Sequence, residues 1–456
     1  MGFEYQALAS GEFRLPDGWK ILTIKEVADV NALSITKKAL PSYIDYIDIA
    51  SVNKGHLLNI QRLPFDKAPS RARRIVRDND ILISTVRPNL EHYLFIKKAR
   101  PNTIASTGFA VVSAKSVNSR FLYYYLTSKP FTEYLTRIAE SHTSAYPAFN
   151  PDVIEDANIL LPPDKEQRAI ARILGTLDDK IELNRQLNET LEAMAQALFK
   201  SWFMDFDPVV VNALKAGNPI PDNFAERAAH YRETPDSLGL PEHILRLFPD
   251  RFMDSELGPI PEGWEATTIG AEFDLTMGQS PPGTTYNEKG EGLPFFQGRR
   301  DFGFRYPSNR VYCTAPTRIA HADDTLVSVR APVGDINMAY ETCCVGRGVA
   351  AVRHKSGSRS YTYYAMRALG ERFKSYEAEG TVFGAINKKQ FQNLPSIAPQ
   401  PHVVSSFEEL VYPLDENIRS FEEVIRTLSG TRDTLLPKLI SGELRVPDVE
   451  KILEEA

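Results

Sequence analysis

The sequence predicts a mixed α/β protein. Two similar globular domains are joined by two long helices that pair within the chain as an antiparallel coiled coil, in a pseudo-two-fold arrangement. Three observations predict this. Ile170, Leu174, Leu177, Ile181, Asn184, Asn188, Leu191, Ala195, Leu198 and Trp202 step by four and three. The same spacing returns 237 residues later in Phe407, Val411, Leu414, Ile418, Phe421, Ile425, Leu428, Arg432, Leu435 and Leu439. This alternation keeps one stripe of a helix turned towards a partner, as in the seam of a coiled coil. The flanking segments repeat as well. Leu15-Pro-Asp-Gly-Trp19 matches Ile260-Pro-Glu-Gly-Trp264, Asp80-Ile-Leu-Ile-Ser84 matches Asp324-Thr-Leu-Val-Ser328, and Tyr123-Tyr124 matches Tyr363-Tyr364. Ala148-Phe-Asn150 matches Ala385-Ile-Asn387 just before each helix. A period this long means two domain-sized repeats, since solenoid periods are shorter.

In chain order, the first domain occupies 1–162 and the first helix 163–204. A proline-rich linker follows at 205–258, with Pro219, Pro221, Pro235, Pro241 and Pro249. The second domain takes 259–397, the second helix 398–442, and a tail 443–456. Pro413 lies inside the second seam, where its missing N–H and its ring predict a kink or restart. Asn184 and Asn188 hold core positions, where polar groups weaken packing but fix register. Antiparallel packing about the midpoints sets Asn184 opposite Ile425 and Asn188 opposite Phe421.

At 456 residues the chain exceeds a single core. No apolar run reaches the length of a membrane span and no secretory pattern opens the chain, which points to the cytoplasm. Cys313, Cys343 and Cys344 form an odd set without a CxxC spacing, so reduced, buried thiols are expected. The histidines show no HxxxH pair, and no metal site is expected.

The net charge of −6 hides an uneven distribution. Residues 1–162 hold 20 Lys+Arg against 16 Asp+Glu, and residues 259–397 hold 16 against 14. Residues 163–258 hold 11 against 17, and 398–456 hold 6 against 12. The domains are mildly basic and the helices acidic, as expected if the domains touch a polyanion. Within the domains the basic residues cluster. Arg71, Arg73, Arg74 and Arg77 precede a strand-like run that leads into Arg87, while Arg299, Arg300, Arg305 and Arg310 interleave with Phe302, Phe304 and Tyr306. Arginine forks onto guanine or pairs with phosphate, so these clusters read as DNA contacts. Solvated surface charge is an equal alternative for any single arginine. Thr381, Asn387, Lys388 and Lys389 form a second candidate contact on a glycine-bearing segment, with an ordinary loop as the alternative.

Three motifs carry a family resemblance. Leu160-Leu-Pro-Pro-Asp-Lys-Glu-Gln-Arg-Ala-Ile170, continued by Leu177-Asp-Asp-Lys-Ile-Glu-Leu-Asn184 and Met194-Ala-Gln-Ala-Leu-Phe-Lys-Ser-Trp-Phe203, resembles the central conserved region of specificity subunits of type I restriction-modification systems. Asp254-Ser-Glu-Leu-Gly-Pro-Ile-Pro-Glu-Gly-Trp264 resembles the start of their second target-recognition domain, and Leu435-Leu-Pro-Lys-Leu-Ile-Ser-Gly-Glu-Leu444 their C-terminal conserved region. The resemblance covers nearly the whole chain. It implies that the two domains are target-recognition domains, each reading half of an asymmetric bipartite site on double-stranded DNA. The helices would space the halves and dock two modification subunits, which methylate adenine with S-adenosylmethionine. Two restriction subunits would add translocation and cleavage with ATP and Mg, and this chain itself would bind no cofactor.

No catalytic motif is expected in the chain. Asn150-Pro151-Asp152-Val153 lacks the second proline and the aromatic that a base-gripping adenine methyltransferase motif needs, and reads as a turn before a helix. No GxxxxGK[ST] loop occurs. Asp205 and Asp207 read as solvated carboxylates at a helix end. The alternative function, from another class, is a coiled-coil adaptor with two similar protein-binding domains. Salt-dependent binding of a duplex separates the two readings.

Overall fold

A computed structural model describes residues 15–36, 41–142, 146–330, 332–378 and 384–446. The chain divides into two compact units, Met1–Glu182 with Arg426–Ala456, and Leu183–Ile425. The first long helix runs from Asp164 to Phe203 and the second from Pro401 to Ser441. Each helix therefore contributes one end to each unit. The second helix continues through Pro413 without interruption, contrary to the expected break.

Both units repeat one topology. In the first, a four-stranded sheet is ordered Gln61–Pro64, Tyr43–Ile47, Thr103–Ser106, Ala72–Ile75, with a parallel central pair. A second sheet is ordered Ala28–Val30, Phe109–Ala114, Ile81–Ser84, Tyr93–Phe95. In the second unit Tyr312–Cys313, Leu293–Phe296, Cys343–Val345 and Ile319–Ala320 reproduce the first sheet, again with the central pair parallel, and Tyr286–Asn287 adds a fifth strand beside Tyr312–Cys313. Phe273–Met277, Val349–His354, Thr325–Val329 and Val333–Met338 reproduce the second. Each unit also pairs its opening strand with the strand that leads into its helix: Lys20 with Leu161, and Glu265 with Ala398. The matched sequence motifs fall on matched elements.

The helices are held by their seams. All twenty seam positions are buried or half-buried, whereas Leu183, Leu187, Met194 and Val424, off the seam, are exposed. In the first unit Ile170, Leu174 and Leu439 join the core of Phe121, Leu122 and Ile159. In the second, Phe199, Trp202, Phe203 and Phe407 form an aromatic cluster with neighbouring ring centres 5.0–6.1 Å apart. Truncating such a buried ring costs about 3–5 kcal/mol.

Polar residues fix the register. Asn188, buried in the seam, donates from Nδ2 to Glu422 Oε1 at 2.9 Å. Its hydrogen-bond partner is the residue next to Phe421, the position expected opposite it. In the first unit Asp178 accepts from Arg432 Nη1 at 2.9 Å. Ten residues forward on the first helix match ten residues back on the second, so the two pairs obey one antiparallel register.

The segment expected to be a linker is helical and belongs to the second unit. Helices Asp207–Ala216 and Ala225–Glu233 bury Val210, Val211, Ala228, Tyr231 and Leu245 in a small core. Asp205 and Asp207 also differ from expectation. Arg227 bridges both, at 2.7 Å to Asp207, so neither is a free helix-end carboxylate. All three cysteines are free and buried, and burial pushes the Cys343 thiol up to about 12. Among the described residues no helix is long and apolar enough to cross a membrane, and no cluster of three or more His, Cys, Asp or Glu could hold a metal.

Candidate nucleic-acid interface

In the second unit four arginines converge on one cavity of about 510 Å³, formed with Gln297, Gly298 and Gly348. Arg299 and Arg300 open a short 3-10 turn after the strand Leu293–Phe296. Arg347 tips the turn between Cys343–Val345 and Val349–His354, flanked by Gly346 and Gly348. A Cβ on Gly348 would stand 2.3 Å from the Gln297 carbonyl oxygen, so the close backbone approach there requires glycine. The Gly348 amide donates to that oxygen at 3.0 Å. Arg330 ends the strand Thr325–Val329 and is pinned by a β-bridge to Ala385.

All four side chains are exposed. Arg299 meets Asp335 at 2.7 Å, a solvent-screened pair worth little. Among the described residues no carboxylate pairs with Arg300, Arg330 or Arg347. Three unneutralised guanidinium groups around one cavity repel one another, and a polyanion removes that repulsion.

The sequence-derived candidates divide. Arg299 and Arg300 line the cavity, but Arg310 lies outside that lining and forks onto Asp301 at 2.8 and 3.3 Å. Arg305 is corrected. Its side chain is 0% exposed and donates to Asp415 at 2.7 Å, to Tyr364 at 2.8 Å and to Glu192, with its guanidinium 4.0 Å above the Tyr363 ring. Burial lowers its pKa, and Tyr363, Asp415, Tyr364 and Glu192 outweigh that, leaving it well above the ordinary arginine value. It fastens the second domain to the helices and is closed to DNA. Asn387 is exposed, and its side chain caps the helix Lys388–Gln392 in a reciprocal box with Gln390, at 2.9 and 3.0 Å. Lys388 and Lys389 stand exposed on that helix, three and four residues beyond Ala385. Thr381 lies outside the described residues.

In the first unit Arg71 and Arg87 flank the turn at Thr107-Gly108. The Thr107 amide donates to the Arg71 carbonyl at 2.8 Å, and the Thr85 amide to the Gly108 carbonyl at 2.9 Å. Arg87 is exposed, in the left-handed region with φ 48°, and covers the exposed Tyr146 ring at 4.8 Å. Arg73 donates to the Ser70 carbonyl at 3.0 Å, and the half-buried Arg74 to Ser34 at 3.3 Å. Successive strand residues face opposite sides, so Arg73 and Arg74 cannot both meet one surface. Arg77 lies beyond the far end of that strand, about 20 Å along the chain from Arg71.

Arg330 and Arg347 were not singled out by charge clustering, because each stands alone in sequence. A signal existed: Gly346-Arg-Gly348 places an arginine on a turn tight enough to need two glycines.

A family model described as type I restriction modification DNA specificity domain matches residues 16–193. The chain is 28% identical to the type I restriction enzyme HindI specificity subunit of Haemophilus influenzae, over 88% of this chain and 95% of that protein. It is 26% identical to the putative type I restriction enzyme MjaX specificity subunit of Methanocaldococcus jannaschii, over 95% of each. The crystal structure of the type I restriction-modification system S subunit from M. genitalium shares the fold, with TM-score 0.51 and 15% identity over 94% of this chain and 98% of that one. In its sequence the chain is thus similar to specificity subunits of type I restriction-modification systems, and its repeated domains and paired helices share the fold of one of them.

Proposed function

We propose that this chain is the non-catalytic DNA-reading subunit of a type I restriction-modification complex. Each domain reads one half of an asymmetric bipartite site on double-stranded DNA, and the paired helices set the spacing between halves. The observation that carries the reading is the cavity ringed by Arg300, Arg330 and Arg347, which have no carboxylate partners among the described residues. Two domains of one topology but different surface chemistry favour two different half-sites on one covalent chain. The helices would also dock two modification subunits. Leu183, Leu187 and Met194, exposed and spaced four and seven residues apart, form an apolar stripe off the seam that supports such docking. Two restriction subunits complete the assembly, and S-adenosylmethionine, ATP and Mg belong to those other subunits. The cytoplasm, where the DNA is, is the expected location.

The test is methyl transfer. The chain alone should transfer no methyl group, and with a modification subunit it should direct methylation to one bipartite sequence. Binding of that duplex should weaken steeply with salt, as phosphate contacts require. Methylation by the lone chain, or none at any defined sequence in the complex, would overturn the proposal.

A further inference from the structure

The two domains share a backbone framework at the candidate interface but not its side chains. Thr85 N to Gly108 O and Val329 N to Gly348 O are equivalent bonds, both 2.9 Å. Val86 to Ala148 and Arg330 to Ala385 are equivalent β-bridges. On that framework Arg330 corresponds to Val86 and Arg347 to Thr107. The 3-10 turn that begins Arg299-Arg300 in the second domain begins Ile49-Ala50 in the first. Four arginines in one repeat thus replace two aliphatic residues, an alanine and a threonine in the other.

Phosphates are the same in every half-site. A phosphate clamp would serve both domains equally, so a contact set present in one repeat alone points to what differs between the half-sites, their bases. A guanidinium fork matches guanine O6 and N7 in the major groove, whereas methyl-bearing side chains suit the thymine methyl. The backbone at both key positions is held. Arg330 is fixed by its bridge. Arg347 is fixed by flanking glycines whose added Cβ atoms would meet Gln297 at 3.0 and 2.3 Å. Directional reading needs such fixed supports.

Resting on the DNA-reading function proposed above, we infer that Arg330 and Arg347 determine specificity, forking onto guanine in the half-site read by the second domain. The first domain has no fork at the corresponding places.

The test uses the full chain assembled with a modification subunit and maps methylation over a randomised duplex pool. Arg330→Val with Arg347→Thr installs the first domain's residues. The second half-site should lose a guanine requirement, with discrimination falling roughly 5- to 150-fold per contact, while the first half-site is unchanged. Arg347→Lys keeps the charge and removes the fork. It should relax the guanine preference while retaining most affinity. Uniformly weaker methylation with an unchanged consensus would show phosphate contacts and overturn the inference alone. A wild-type complex without sequence-selective methylation would instead remove the proposed function, and the inference with it.

Discussion

Asp415 accepts a hydrogen bond from Arg305 at 2.7 Å, with both side chains sealed from solvent. Asp178, its counterpart 237 residues earlier, does the same work in the first unit with a different arginine. It accepts from Tyr124 at 2.6 Å and from Arg432 at 2.9 Å, while Asp415 takes Tyr364 at 3.3 Å and Arg305. Arg432 comes from the other helix, at a seam position whose repeat counterpart is the fully buried Ala195. One repeat supplies the guanidinium from the helix and the other from the domain.

Arg305→Met should destabilise the second unit by about 3–5 kcal/mol, because it leaves Asp415 buried without its arginine and Glu192 with Arg367 alone. Denaturant unfolding measures this. Adding Asp415→Leu and Glu192→Met should recover most of the loss. A variant of unchanged stability would contradict the buried network.

Asn188→Ala should cost about 1–2 kcal/mol by removing the buried hydrogen bond from Asn188 to Glu422, although Asn188 is not itself a good core residue. Pairing Asn188→Leu with Glu422→Leu should raise the unfolding midpoint instead. A destabilised double variant would show that the polar pair does more than fix register.

Burial holds His354 below its ordinary 6.5, with Lys355 adding to the effect and Glu272 opposing it. The folded state therefore resists the proton that the unfolded chain accepts. Stability is full above the unfolded value and falls as pH drops below about 6.5. Comparing unfolding midpoints of wild type and His354→Asn between pH 7.5 and 5 checks the sign: the difference should shift in the variant's favour as pH falls.

Arg300→Ala should weaken or relax recognition of the second half-site by about 1–3 kcal/mol if its contact is bidentate to a base. Arg299→Ala should matter less, since Arg299 already pairs with Asp335. Equal loss of discrimination in both half-sites would place these arginines in folding or assembly.

The seams were legible because a four-three period over about thirty residues has few other causes, and no seam position proved exposed. Their polar contacts were less so. A hydrophobic pattern does not reveal that Asn188 bonds the Glu422 carboxylate next to Phe421. In the 205–258 segment proline suggests loops, whereas the structure uses it to start helices. Pro208 lies in the first turn of one helix, and Pro221 and Pro241 directly precede others, where the missing N–H costs nothing. Arg305 looked like its neighbours because charge clustering carries no information about burial. Arg330 and Arg347 were missed for the converse reason, since only the folded chain gathers them.

The measurement that tests the account most directly is the methylated consensus of a complex whose helices have been lengthened. Seven residues inserted after Glu182 and seven after Ile425 preserve the seam and add about 10 Å at about 1.5 Å per residue. At about 3.4 Å per base pair that is about three further pairs of unread spacer. The account predicts two unchanged half-sites separated by about three more base pairs, with reduced affinity tolerated because the insertion also alters the facing of the halves. Half-sites that keep their original spacing at full affinity would contradict the role of the helices as the ruler.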